Sequence, residues 1–174
     1  MNLEKLTETD LETVTKQLGR RPRSALHIAA RCPEGHPAVI TNHPLHIKAN
    51  RIAPFPTMFW LSCPELGRII SRLEMSGLIQ QLDDRLAQDD ELAAALQSDH
   101  ERYVVQRWQL LNETEQLQVR DAGLYDMFQK RGIGGLNHWR SVKCLHLHFA
   151  HHLADSNAIG AILSEEFGVQ PCGC

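Results

Sequence analysis

The chain has 174 residues, a mass of 19.7 kDa and a formal net charge of -3, with 43% hydrophobic and 22% charged residues. This length is typical of a single domain, and the composition is rich enough in apolar residues to bury a core. Proteins whose main partner is nucleic acid are usually basic, so the slight acidity argues against nucleic acid as the main partner.

The sequence lacks the patterns of a transmembrane helix and of a secretory signal, and these two features together with the cysteines predict the cellular location. No apolar run approaches the length of about 18 residues that indicates a transmembrane helix. The first 18 residues are acidic, whereas a secretory signal needs a basic start and an apolar stretch. We therefore expect a cytoplasmic protein. Its five cysteines cannot all pair within one chain, so they are expected to be buried, catalytic or metal-binding thiols.

The chain is predicted to have three parts. Residues 1–23 are expected to form a short amphipathic helix followed by a basic linker, because an Arg-rich, Pro-containing segment ends a loose apolar stripe. Residues 24–168 are predicted to form a single α+β domain. Residues 169–174 are expected to be a flexible tail that carries a Cys-Gly-Cys sequence.

The N-terminal third of this domain has the pattern of a small antiparallel sheet. Apolar and aromatic runs at 25–31, 37–41 and 57–62 predict three strands, and prolines flank the last of them. The segment 42–53 is expected to be a loop. The residues that follow predict about five helices packed against the sheet, the first beginning at Pro64 and later ones spanning 139–154 and 158–167.

Two cysteines are candidate ligands because of their local structure. Cys32 lies in a Pro/Gly turn and could share an ion with His36, although by itself this turn favours a purely structural role. Cys63 directly precedes Pro64 at the start of the first long helix. The N–H groups and the dipole of a helix N-terminus lower the pKa of a thiol, whereas the alternative is an inert buried cap.

A third cysteine begins the densest cluster of candidate ligands, Lys-Cys-Leu-His-Leu-His-Phe-Ala-His-His at 143–152. At about 100° per residue, Cys144, His148 and His151 fall on one helix face, and His146 points away. Thiolates and imidazoles are good zinc ligands. The alternative is a solvated helix with surface histidines. Cys172 and Cys174 could chelate an ion or form a redox pair, or they could be a dispensable appendage.

Several motifs together resemble one protein family: Arg-Cys-Pro-Glu-Gly-His-Pro at 31–37, Pro-Phe-Pro-Thr at 54–57, Leu-Ser-Cys-Pro at 61–64, Leu-Glu at 73–74 and Val-Lys-Cys-Leu-His at 142–146. The family is the uncharacterised bacterial one called domain of unknown function 501, and the resemblance covers roughly residues 25–163. It brings no established activity. It implies that Cys32, Cys63 and Cys144 correspond to the cysteines of the family's motifs.

Three hypotheses follow. In the first, Cys32, Cys63 and Cys144 converge on an iron–sulfur cluster with an open position, or on a zinc ion with His148 as the fourth ligand. In the second, the protein is a non-enzymatic interaction module with buried cysteines, and its partner is a protein. In the third, it is a metal-free thiol enzyme acting on a small molecule, with Cys63 as the nucleophile and His146 as the base.

Overall fold

The computed structural model describes residues 3–48 and 51–171. It confirms the α+β class: a small antiparallel sheet in the N-terminal part is followed by helices. The strands are β1 (Glu4–Lys5), β2 (Ala25–Arg31), β3 (Pro37–Asn42), β4 (Leu45–Lys48), β5 (Arg51–Pro54) and β6 (Phe59–Leu61). The helices are α1 (Glu8–Leu18), α2 (Pro64–Met75), α3 (Leu78–Gln88), α4 (Asp90–Gln109), α5 (Glu113–Asp121), α6 (Tyr125–Lys130), α7 (Leu145–Ala154) and α8 (Ala158–Glu165).

Strand β3 is the centre of the sheet, whose strand order is β1-β2-β3-β6 with every neighbouring pair antiparallel. All six of its residues are buried, because both faces of the sheet are covered. On one face, Ile40 packs with Val14 of α1. On the other, Val39 belongs to the same apolar cluster as Ala150 of α7. The division of the chain at residues 23 and 168 stays a prediction.

Helix α1 begins at a capping box, in which Thr7 and Asp10 each accept a hydrogen bond from the other's backbone N–H. The Asp10 carboxylate also pairs with Arg31 at 2.8 Å, which ties the helix to strand β2. The hydrogen bond from Arg31 holds the pKa of Asp10 well below its usual range. The expected N-terminal helix is therefore present, but it begins only at residue 8.

Two sequence expectations about the elements are wrong. The segment 42–53 is not a loop, because β4 and β5 pair as a two-stranded antiparallel ribbon. Within the described residues, seven α-helices follow the sheet, where about five were expected. Gly77 and Gly123 explain much of this difference: both have left-handed backbones, with φ of 84° and 69°, and each separates two helices.

The expected helix over 139–154 begins only at Leu145. Side chains of earlier helices bind the backbone at this boundary: Asp83 of α3 accepts the Val142 N–H before the helix, and Glu74 of α2 accepts the N–H of Leu145, its first residue. Helix α7 itself contacts β2, β3, β6, α2 and α8. Because so many elements cover this helix, little of its surface is exposed to solvent, and His148 and His151 are buried.

Within the described ranges, no helix combines the length and apolar character needed to cross a bilayer.

Gly160 allows α8 to approach α7 closely. A Cβ atom at this position would lie 2.2 Å from the Cβ of His152 and 3.1 Å from the carbonyl oxygen of His148. We expect Gly160→Ala to lower the free energy of unfolding by about 2 kcal/mol or more, because overpacking forces backbone shifts. Gly67→Ala is the matched control, since its Cβ would meet nothing within 4 Å. Equal urea denaturation midpoints for the two variants would contradict this prediction.

Candidate functional site

Three side chains with metal-ligand chemistry meet where α2 and α7 touch. The Nδ1 atom of His146 lies 3.6 Å from the Sγ atom of Cys144 and 3.2 Å from Oε1 of Glu74. Among the described residues, this is the one set of three or more His, Cys, Asp or Glu side chains whose ligand atoms all lie within 4.8 Å of one another. All three side chains are partly buried.

The N-terminus of α7 brings Cys144, His146 and Glu74 together. Cys144 is the N-cap residue, with an extended backbone (φ −162°, ψ 124°) and no capping hydrogen bond from its own side chain. Glu74, near the end of α2, supplies the cap instead, since its Oε1 accepts the Leu145 N–H at 2.7 Å. His146 lies in the first turn of the helix, within reach of both groups.

The hydrogen bonds of His146 determine which of its nitrogens can be a ligand. Its Nε2 atom lies 3.1 Å from the Gly67 carbonyl oxygen, which can only accept, so Nε2 carries a hydrogen. The Nδ1 atom therefore faces the thiol of Cys144 and the carboxylate of Glu74. The hydrogen bond with Cys144 and the negative charge of Glu74 raise the pKa of His146 to about 9, against the opposing effect of burial.

A cysteine sulfur, a carboxylate and one imidazole nitrogen that converge in this way can share a proton at Nδ1 or hold a metal ion. The geometry does not suit a catalytic triad. In a triad, the nucleophile contacts one nitrogen of the imidazole and the carboxylate contacts the other. Here, Cys144 and Glu74 share one nitrogen, and Gly67 occupies the other.

The four ligands predicted from the sequence are not brought to one point. Cys144 lies beside Glu74, eleven residues after Cys63, and this number of residues spans about 16 Å of α-helix. Cys144 also precedes the helix, so the predicted helical stripe of Cys144 with His148 does not form. For the same reason, His146 was wrongly expected to point away from Cys144.

Cys32 and Cys63 are buried members of one apolar cluster. They follow strands β2 and β6, which flank the beginning of β3. Cys32 occupies the expected turn, in which its N–H donates to His36 and its carbonyl accepts from Gly35. Cys63 is the N-cap residue of α2, as predicted. Their role as ligands stays a prediction, and Cys172 and Cys174 lie outside the described residues.

His148 belongs to a second, fully buried cluster with His151 and His100 of α4. The side chain of Asn157 bridges the first two: its Oδ1 lies 3.3 Å from Nδ1 of His148, and its Nδ2 lies 3.3 Å from Nδ1 of His151. The Nδ1 atom of His100 accepts the Ile133 N–H at 2.9 Å. The Nε2 atoms of all three histidines are buried without a hydrogen-bond partner in the described structure.

Burial keeps these three imidazoles neutral. It lowers the pKa of His100 to about 4 and that of His148 to about 3. The pKa of His151 is also about 3, again mainly because the ring is buried, between Phe59 and Tyr103. This cluster is therefore a buried polar network rather than the exposed histidine surface of the alternative interpretation.

Sequence reasoning missed Glu74 as a member of the site and did not single out His100 or Asn157. One signal for Glu74 was available, because Leu73-Glu74 is one of the motifs that resemble the family. His146 was likewise part of the Lys-Cys-Leu-His motif. Nothing local in the sequence marks His100, whose partners come from the loop before α7.

Comparison with known proteins confirms the resemblance. No curated protein and no solved structure matches the sequence. The family model described as "Protein of unknown function (DUF501)" matches residues 28–165, which include Glu74, Cys144 and His146. Because this match covers well over half of the chain, the protein belongs to the DUF501 family.

Proposed function

We propose that this protein is a metal-binding protein in which Glu74, Cys144 and His146 hold one zinc ion. The observation that supports this function is the convergence of the three ligand atoms within 4.8 Å. Thiolate, imidazole and carboxylate are all established zinc ligands. Iron–sulfur clusters are held mainly by several thiolates, so a group with one cysteine favours zinc.

The surroundings of His146 fit this role. A metal-binding histidine usually donates its other ring N–H to a carbonyl or carboxylate, which fixes its orientation. Gly67 provides such a carbonyl at 3.1 Å. Ser71 adds a hydroxyl 3.3 Å from the same nitrogen. The imidazole is thus held in place by groups on α2 before any ion binds.

The number of ligands bears on what the ion would do. Three protein ligands leave the fourth tetrahedral position for water or a small molecule, as in catalytic rather than structural zinc sites. An ion there would supply a polarising charge and an activated water. We place this protein in the cytoplasm, because none of the cysteines in the described part of the chain forms a disulfide, as is usual in a reducing compartment.

A second candidate function is a reactive thiol without metal, favoured by the distance of 3.6 Å between Cys144 Sγ and His146 Nδ1. Cys144 also lies at the N-terminus of α7, where a thiolate is stabilised. In this alternative, rapid alkylation of Cys144 by iodoacetamide persists in metal-free protein and is insensitive to added zinc. Under the zinc proposal, zinc protects Cys144 from alkylation.

The zinc proposal is tested by titrating chelator-treated protein with zinc and with cobalt. We expect one ion per chain and a thiolate-to-cobalt charge-transfer absorption. Cys144→Ser should abolish this absorption and weaken zinc binding by more than about 100-fold, since losing even an outer partner of a ligand costs 10- to 100-fold. Glu74→Gln should also weaken binding, although its side-chain oxygen can still cap α7.

Cys63→Ser is the matched control for these titrations. It removes one buried thiol at the opposite end of α2 and should leave the cobalt absorption unchanged. Loss of the absorption in Cys63→Ser as well as in Cys144→Ser would overturn the assignment in favour of the three-cysteine hypothesis. Absence of zinc binding by the unsubstituted protein would overturn the metal function at this site.

A further inference from the structure

Arg107 is a buried cation without an acidic partner. It lies on α4 with 2% of its surface exposed, and no carboxylate of the described residues lies within 4.0 Å of its guanidinium. Its Nη atoms donate instead to the backbone carbonyls of Pro56, Phe128 and Arg131. Buried charges in proteins are normally paired, so this arrangement leaves a positive charge to be balanced.

The aromatic neighbours of Arg107 stabilise it only in part. The guanidinium carbon lies 5.6 Å from the centre of the Tyr103 ring and 5.7 Å from that of Phe128. Such contacts are weakly favourable for a cation. The Nε atom, however, is buried and has no hydrogen-bond partner in the described structure. One strong donor of a buried cation is therefore available to a ligand.

A small cavity adjoins this side chain. Its volume is about 30 Å³, which is more than the 10–15 Å³ or so that one water needs. Two of the residues that line it are arginines, Arg107 and Arg131, and the others have apolar side chains: Pro54, Phe55, Pro56, Met127 and Phe128. A wall with two cations, no acidic side chain and an apolar remainder is complementary to an anion attached to a hydrocarbon group.

We propose that this cavity binds the carboxylate group of a small organic acid, between Arg107 and Arg131. The carboxylate accepts the unpaired Nε–H of Arg107 and lies near Arg131, and the carbon atom next to the carboxylate contacts the proline and aromatic lining. The cavity has room for the head group alone, so the rest of the ligand extends outward. This site is separate from the proposed zinc site, whose ligands are on α2 and α7.

The electrostatic environment of Arg107 agrees with this assignment. Burial lowers the pKa of Arg107, and the positive charge of Arg131 lowers it further. A bound anion would favour the charged form of Arg107 and so oppose both effects. Arg131 is partly exposed at the end of α6, where a ligand can reach it, while its backbone carbonyl remains bound to Arg107.

The test uses butyrate as the probe and follows amide and arginine Nε–H signals by NMR. We expect saturable shifts confined to residues 54–56, 107 and 127–131. Butanol and butylammonium, which have the same hydrocarbon group without the negative charge, should produce no comparable shifts. Equal responses to butyrate and butanol, or butyrate shifts spread over unrelated surfaces, would overturn the proposal.

Arg131→Gln is the variant of choice, because it removes the partly exposed cation and keeps the carbonyl that Arg107 needs. It should weaken butyrate binding by about fivefold or more, since a charged contact to the carboxylate is lost. Arg120→Gln is the matched control: this arginine contacts the Trp108 and Tyr125 rings and does not line the cavity. Unchanged affinity in Arg131→Gln would also overturn the proposal.

Discussion

The free energy of unfolding of the metal-free protein is expected to fall steeply as the pH drops below about 6.5, the ordinary pKa of histidine. The buried His100, His148 and His151 have pKa values of about 4, 3 and 3 in the folded state. Between these values and 6.5, the unfolded chain binds more protons than the folded protein. Each histidine then contributes about 1.4 kcal/mol per pH unit, and all three together contribute about 4.

The opposite shift of His146 sets the upper end of the stability range. Its folded-state pKa of about 9 means that the folded metal-free protein holds this proton more tightly than the unfolded chain. The resulting stabilisation is fully present below pH 6.5 and is lost as the pH rises through 9. Stability of the metal-free protein is therefore expected to be greatest near neutral pH.

Urea denaturation of chelator-treated protein between pH 7 and pH 5 measures the acid slope. His151→Phe keeps an aromatic ring against Phe59 and removes one titrating group, so the slope should fall by about 1.4 kcal/mol per pH unit. His138→Gln, at an exposed histidine, should leave the slope unchanged. Identical slopes in the unsubstituted protein and His151→Phe would contradict a neutral buried His151.

The fold was predictable where local pattern determines structure. The strands around the Cys32 turn and the helix that begins at Pro64 follow from apolar runs and from turn and cap residues. The ribbon of β4 and β5 was missed because its stability comes from distant residues: Leu45 and Ile52 pack with Leu111, Val119 and Phe128 of later elements. No pattern within 42–53 contains that information.

The candidate site was predictable only in part, for a related reason. Cys144 was correctly singled out, but its partners depend on where α7 begins. That boundary is set by a carboxylate from another helix, Glu74, which accepts the first N–H of α7. The helix was expected to begin at residue 139 but begins at Leu145. As a result, the neighbour of Cys144 is His146 and not His148.

Asn157 is expected to be among the most sensitive positions of the chain. Its Oδ1 accepts the Gly160 N–H at 3.0 Å as the N-cap of α8, and its side chain also bonds His148 and His151. Asn157→Ala removes this side chain and leaves the Gly160 N–H, His148 and His151 each without this hydrogen-bond partner in a buried environment. Loss of an N-cap costs about 1 kcal/mol, and each buried group left unpaired costs about 1–3 kcal/mol more. We therefore expect a total loss of at least about 3 kcal/mol.

Asn112→Ala provides the matched comparison, because Asn112 is also an N-cap, with its Oδ1 accepting the Glu115 N–H at 3.0 Å, but at the exposed start of α5. It should lower the free energy of unfolding by only about 1 kcal/mol. Urea unfolding of both variants at pH 7 measures the difference. If the two alanine substitutions cost the same, Asn157 acts only as a helix cap, and the buried imidazoles do not depend on it. The larger loss in Asn157→Ala would instead assign most of its effect to the bridge between His148 and His151.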